Sequence, residues 1–444
     1  MNLELLKESF CENYPEVPDG VIDSVSLAGT IQFNKFGTLL AVGCIDGRLI
    51  FWDFMTRCMV KIIVAHVHPI QSLSWSRNGH KILTSSTDHT VKIYDVVSGD
   101  CEYVYRFPSA VLRAQFHPRN PKILLVNPFG HAAVLVNTDG NHKIPIPLED
   151  ERDFNIVTSF DRRGDHVYTG NSKGKISIYS VPDFFLVASF KTGGGLCSAA
   201  VKSVEFAPRG DCFLLNSADR IIRVYKCEDV LRAGIEGNPE PISKIQDLVG
   251  KTAWKKCCFS GDGEYVCAAS AKQHQLKIWD KGMGNLVKIF HGNKGVQLID
   301  VVWHPLRPIV ASISGGVVSI WAQRAVENWS AFQPNFKELD ENVEYEEKES
   351  EFDVEDEDKE KFERKKEDAV DDDELEVDVT TCEPIGGYVC SDDEEGDEKD
   401  YLMFIPIAPD VIPDVDENLV AKQEAAAGTK GHQRRKKSSK CVHK

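Results

Sequence analysis

The side chains best suited to chemistry in this chain are cations. Arg48, Lys173, Arg220 and Lys272 each occupy a tight turn that leads into an apolar strand, and Lys251 and Lys294 lie in connections near two of those turns. Cations at equivalent turns of a repeated unit fall on one face, where they suit phosphate oxygens, and every phosphate neutralised makes binding more salt-dependent. Catalytic patterns are lacking: there is no G-x-x-x-x-G-K-[ST], H-E-x-x-H or G-x-S-x-G run, and no G-x-G-x-x-G between a strand and a helix. Gly193-Gly194-Gly195 is an isolated glycine run. His66, ahead of one strand, and Asp88, in the turn that follows, read as a buried hydrogen-bond network rather than an acid–base pair. His117 and His304 share a Phe/Trp-His-Pro context and read as structural turns. The expectation is a non-enzyme with no cofactor.

The thirteen cysteines contain no C-x-x-C pair, and Cys257 and Cys258 are adjacent, so no metal site is expected. Cys44, Cys212 and Cys267 sit in apolar strands and read as reduced core thiols. The amino terminus carries Glu4 and Glu8 without a long apolar run, so no signal peptide is expected, and no stretch reaches the length of a membrane span.

The elements that must position these residues repeat. Trp52, Tyr94, Leu135, Tyr179, Tyr225, Trp279 and Trp321 are near the centres of seven strands, at steps of 42, 41, 44, 46, 54 and 42 residues. That period, with several short alternating strands per unit, predicts an all-β, seven-bladed WD-repeat β-propeller over residues 1–330. In the second unit the pattern gives strands at Ile70–Trp75, Lys81–Ser85 and Thr90–Asp95, with Arg77-Asn78-Gly79-His80 and Ser86–His89 as turns. The seventh unit lacks a clear fourth strand, which Leu3–Tyr14 is expected to supply, closing the ring. The 54-residue step is expected to hold a short helix over Ile242–Val249.

The formal net charge of −17 is unevenly distributed. Residues 338–400 carry 31 acids against 7 bases, leaving residues 1–337 mildly basic at +4. The acidic stretch is too polar to fold alone and predicts a largely disordered C-terminal tail. Apolar islands at 343–354, 375–379 and 401–408 read as docking peptides, the last one against the propeller or a partner. Arg434, Arg435, Lys436 and Lys437 form a basic cluster compatible with nuclear import.

Specific runs carry a resemblance. Met1-Asn2-Leu3-Glu4-Leu5-Leu6, Gly37-Thr38-Leu39-Leu40-Ala41-Val42-Gly43-Cys44 and Trp254-Lys255-Lys256-Cys257-Cys258-Phe259-Ser260-Gly261-Asp262-Gly263-Glu264-Tyr265 resemble the retinoblastoma-binding protein 5 family. So do Val326-Glu327-Asn328-Trp329-Ser330-Ala331-Phe332 and Phe336-Lys337-Glu338-Leu339-Asp340-Glu341-Asn342-Val343-Glu344-Tyr345, and the likeness spans about Met1 to Pro409. It implies a nuclear, non-catalytic scaffold of the COMPASS-type complexes whose SET-domain subunit methylates lysine 4 of histone H3.

The resemblance also implies roles. Residues 331–343, with Phe332, Phe336 and Leu339, match the segment that activates the SET-domain methyltransferase subunit. Residues 344–358 match the acidic box that binds the SPRY-domain subunit, with Glu347, Phe352 and Asp353 as its charge and aromatic contacts. Residues 375–381 match the peptide that docks on a second WD-repeat subunit through Val377, Asp378 and Val379, and residues 382–444 form the remaining tail, with the apolar island 401–409 and the basic cluster 434–437. Nucleosomal DNA contact falls to Arg220, Lys251, Lys272 and Lys294; three are lysine where the family carries arginine, which keeps the charge but loses the bidentate fork. Ser350 stands in an acidic context suited to phosphorylation. Other readings are a WD-repeat adaptor of another nuclear assembly, or a propeller acting mainly as a nucleic-acid clamp.

Overall fold

Alternation along each repeat builds a sheet whose inner strands are covered on both faces. In the second unit Lys81–Ser86 and Thr90–Asp95 are mainly buried, whereas the outermost strand, Cys101–Arg106, is almost wholly exposed. That gradient arises when sheets pack face to face around an axis, so that only the rim meets solvent. The computed structural model describes residues 13–324, apart from 24–25, 141, 148–156, 182, 193–198, 248–249 and 294, together with 401–405. Seven antiparallel sheets follow in chain order, starting at Ala28, Ile70, Val111, Val157, Val201, Trp254 and Leu298, and form the seven blades of the predicted propeller. Apolar clusters join neighbouring blades, as where Ile31, Val42 and Ile50 of blade one meet Ile313, Val318 and Ile320 of blade seven.

The amino-terminal side of the chain closes the ring, but not with Leu3–Tyr14. The outer strand of blade seven is Val17–Ile22, antiparallel to Val317–Ala322 with Ile22 opposite Val318. This segment suits an edge: Pro18, which has no N–H to give, sits beside a register shift, and Gly20 takes φ 123°. Asp300 adds a polar tie between blades seven and one, accepting from the Thr30 hydroxyl at 3.0 Å and the Ile31 amide at 3.1 Å.

The long step between blades five and six also departs from the expectation. The helix is Cys227–Ala233, with Cys227 and Val230 buried one turn apart, and Gly234 follows it. Ile235–Gly237 then runs parallel to Leu186–Lys191, so the insertion adds a fifth strand to blade four. The stretch expected to be helical instead contributes the strand Ser243–Ile245, which pairs with Ile222–Lys226. The open edge of Ile222–Lys226 needs hydrogen-bond partners, and Ser243 and Ile245 alternate inward as a strand requires.

Histidines staple adjacent blades. His117 Nε2 donates to the Gly164 carbonyl and His304 Nε2 to the Gly37 carbonyl, each at 3.1 Å, while both Nδ1 atoms accept backbone amides. These bonds require the neutral ring, and burial pushes His304 down to about 4 against the small upward pull of the Gly37 bond. Gly37 has φ 73°, and a Cβ there would lie 2.1 Å from His304 Nε2. His66 behaves as expected of a network member, with Asp88 at 2.8 Å and Thr84 at 2.8 Å on its two nitrogens.

Candidate polyanion-binding cleft and docked tail

Turns of blades five and six, with the connection between them, build a cleft of about 520 Å³. Arg220, Lys251 and Lys272 line it together with Thr252, Gln273 and Lys277. Arg220 follows the strand Cys212–Ser217 in a left-handed conformation, φ 70°, and Lys251 is left-handed too, φ 46°. Two bonds lock this geometry: the Arg220 guanidinium donates to the Lys251 carbonyl at 3.2 Å, and the Trp254 indole N–H donates to the Arg220 carbonyl at 3.0 Å. Trp254 is fully buried, so the turn rests on a rigid floor.

Beneath the Lys251 loop lies a charge pair that was not singled out from sequence. Asp247 accepts from Lys277 Nζ at 2.6 Å, from the Gly250 amide at 3.0 Å and from the Thr252 hydroxyl. Side-chain exposure is only 8% for Lys277 and 9% for Asp247. Burial pushes the Asp247 carboxyl up, but the Lys277, Thr252 and Gly250 bonds outweigh it and hold it well below the usual carboxylate range. The carboxylate thus gathers Gly250, Thr252 and Lys277 around itself, next to Lys251. Lys277 and Asp247 are 30 residues apart, and no local pattern links them.

Three of the four cations that the resemblance implies for DNA contact therefore share one cleft, while Lys294 lies outside the described residues. Arg48 is elsewhere, with its Nε 3.2 Å from Asp46 in blade one, and Lys173, in blade four, does not line the cleft. The expected core thiols Cys44, Cys212 and Cys267 are buried and free, and burial raises each one's pKa, for Cys267 after a hydrogen bond with Cys258. Among the described residues no set of three or more His, Cys, Asp or Glu side chains gathers as a metal would need, and no helix is long and apolar enough to cross a membrane.

Of the tail, only residues 401–405 are described, and they dock on the propeller. The Leu402 amide donates to the Asn78 carbonyl at 2.8 Å, and the Thr38 hydroxyl donates to the Met403 carbonyl. Tyr401 meets Phe36 edge-on at 5.5 Å, with the Lys35 ammonium 4.7 Å from the Tyr401 ring centre. Ile405 is buried against a cluster that includes Leu39, Phe51 and Val96. The island expected to pack on the propeller or a partner thus has these five residues on the propeller. Phe332, Phe336, Leu339, Glu347, Ser350, Phe352, Asp353, Val377, Asp378 and Val379 lie outside the described residues, as does most of the predicted disordered tail.

Residues 57–95, which include most of blade two, match the family described as WD domain, G-beta repeat. A Drosophila melanogaster protein named retinoblastoma-binding protein 5 homolog is 62% identical over 412 residues, covering 93% of this chain and 83% of its own length. The chain belongs to the retinoblastoma-binding protein 5 family. Within the family, the Set1 complex component swd1 of Schizosaccharomyces pombe is 32% identical over 80% of this chain and 90% of its own. The crystal structure of the Myceliophteria thermophila Cps50 (Swd1) beta-propeller domain superposes with a TM-score of 0.64 at 27% identity, covering 69% of this chain and 99% of that one. As a member of the retinoblastoma-binding protein 5 family, the chain is a WD-repeat scaffold rather than an enzyme.

Proposed function

We propose that this protein is a nuclear core subunit of a complex that methylates lysine 4 of histone H3, and that its propeller contacts nucleosomal DNA. One observation carries the reading: the 62% identity extends over 412 residues, beyond the propeller and into the tail. Relatives named as Set1 complex and COMPASS components support the same assignment. Residues 331–343 activate the SET-domain subunit, residues 344–358 bind the SPRY-domain subunit, and residues 375–381 dock on a second WD-repeat subunit. Phosphorylation of Ser350 adds charge to the acidic box and tightens its hold on a basic partner. Arg220, Lys251 and Lys272, joined by Lys294, take DNA phosphates; the cleft shared by Arg220, Lys251 and Lys272 supports that part of the reading.

Reconstitution tests it. A SET-domain methyltransferase with its partners is assayed with the full chain or with one ending at Ser330. The full chain stimulates methylation and the shortened one does not; equal stimulation by both would falsify the scaffold mechanism. A clamp acting mainly on nucleic acid predicts the reverse, with loss on neutralising the cleft and none on removing the tail.

A further inference from the structure

The residues that receive Tyr401–Ile405 form a built seat between the first turns of blades one and two. Those turns join Ala28–Phe33 to Leu39–Cys44 and Ile70–Trp75 to Lys81–Ser86. Arg220 and Lys272 occupy turns between second and third strands. Antiparallel strands put the two kinds of turn at opposite ends of a sheet, so the seat is on the face opposite the Arg220 cleft. Thr38 is 3% exposed, and its hydroxyl oxygen accepts from Asn34 Nδ2 at 2.9 Å. That bond leaves the hydroxyl proton to point at the Met403 carbonyl. Asn34 is held in turn, since its Oδ1 accepts the Leu39 amide at 3.1 Å. On the blade-two side the Asn78 carbonyl accepts the Leu402 amide. Beside it Gly79 takes φ 78°, and a Cβ there would lie 3.0 Å from the Leu402 carbonyl oxygen. A fixed donor, an acceptor and a bare stretch of backbone thus face one short piece of main chain.

Three side chains of the segment fill the seat. Tyr401 stands edge-on to Phe36, Leu402 packs against the apolar cluster that contains Leu39, Phe51 and Ile82, and Ile405 is buried within that cluster. Phe404, by contrast, is exposed. Recognition therefore depends on the first, second and fifth side chains, an aromatic-Leu-x-x-Ile pattern, as in interfaces where a few buried anchors carry most of the energy. The main-chain bonds add affinity that any sequence of this pattern can supply. Residues 325–400 join the segment to blade seven. Effective concentration falls as such a tether lengthens, so the attached segment holds its seat against dilute competitors and yields to concentrated or tighter ones.

We propose that this seat is a short-peptide recognition site, that its ligand from another chain is a segment of aromatic-Leu-x-x-Ile pattern, and that Tyr401–Ile405 is the resident occupant which such a partner displaces. The inference rests on the docked residues and the turns that receive them, not on the methyltransferase reading.

Peptide binding to the full chain tests it. The probe is a fluorescein-labelled peptide with the sequence of residues 399–407, Lys-Asp-Tyr-Leu-Met-Phe-Ile-Pro-Ile, followed by fluorescence anisotropy. It is titrated with wild type and with a double variant, Leu402→Asp with Ile405→Asp, which vacates the seat and leaves the propeller sequence intact. The double variant is expected to bind the probe, and wild type to bind it several-fold more weakly because the attached segment competes. A probe carrying the same two substitutions is expected to bind neither protein. Adding Phe36→Ala to the double variant removes the aromatic seat and is expected to weaken binding several-fold, with the thermal midpoint of the double variant retained. Equal binding by wild type and the double variant overturns the proposal, and so does binding by neither. Affinity unchanged by Phe36→Ala also overturns it, since the peptide then sits elsewhere.

Discussion

Two basic clefts, on opposite faces of the propeller, hold cations by different physical means. On one face, Arg220 and Lys251 stand on left-handed backbone, tied to each other and to Trp254, over the buried Asp247–Lys277 pair. On the other face, Lys35, Arg77, Arg119, Arg162 and Arg163 line a cleft from ordinary blade turns. Part of the support beneath them comes from the His304–Gly37 and His117–Gly164 staples. The first cleft depends on one insertion and one ion pair; the second arises from repetition, because each blade presents an equivalent turn. An insertion fixes a few charges firmly, whereas repetition spreads charge over several blades.

The largest effect expected from breaking this contrast comes from Asp247→Ala. It leaves Lys277 buried without its partner and dissolves the hydrogen bonds that shape the Lys251 loop. Loss of one member of a buried pair costs about 3–5 kcal/mol, read as a lower denaturant midpoint. A midpoint within error of wild type would show that the loop holds itself without the pair.

On the opposite side, His304 gives an acid signature. Its pKa falls from 6.5 to about 4 on folding. Below 6.5 the unfolded chain takes a proton that the folded chain refuses, so stability is lost as pH falls and the loss levels off near 4. The total is about 3 kcal/mol. Urea titrations between pH 7 and 4 are therefore expected to show a shallower decline for His304→Gln than for wild type by about that amount. Parallel curves would remove the staple from this account.

The smallest and most local effect is on binding. Replacing Arg220, Lys251 and Lys272 with Gln is expected to lower the slope of log affinity against log salt for duplex DNA by about 2.7, at about 0.9 per phosphate contact. Stability falls only slightly, by the loss of the exposed Arg220–Lys251 carbonyl hydrogen bond. An unchanged slope would assign the DNA contact to another surface.

Much of the fold was legible from the strands alone. Blade two falls where alternation put it, and the seven aromatic or leucine centres predict seven sheets, because period-two burial is local information. Errors fell where partners are distant. Whether 3–14 or 17–22 closes the ring depends on which segment meets Val317–Ala322, some 300 residues away. Within 242–249, which reads as helix in isolation, Ser243–Ile245 forms a strand because Ile222–Lys226 offers it an open edge. The candidate site divides in the same way. Its cations were visible as turn residues, whereas the Asp247–Lys277 support and the five-cation cleft were not, since each is assembled from residues far apart in the chain.

By itself, then, the sequence determined the repeat count, the all-β class, the segregation of charge between body and tail, and the family to which the runs from Met1 onward are similar. Only the tertiary structure decided which cations share a cleft, which segment completes blade seven, and where Tyr401–Ile405 binds. The physical reason is range: strand alternation and composition act between near neighbours, while clefts, edges and docking are set by surfaces that meet only after the ring has closed.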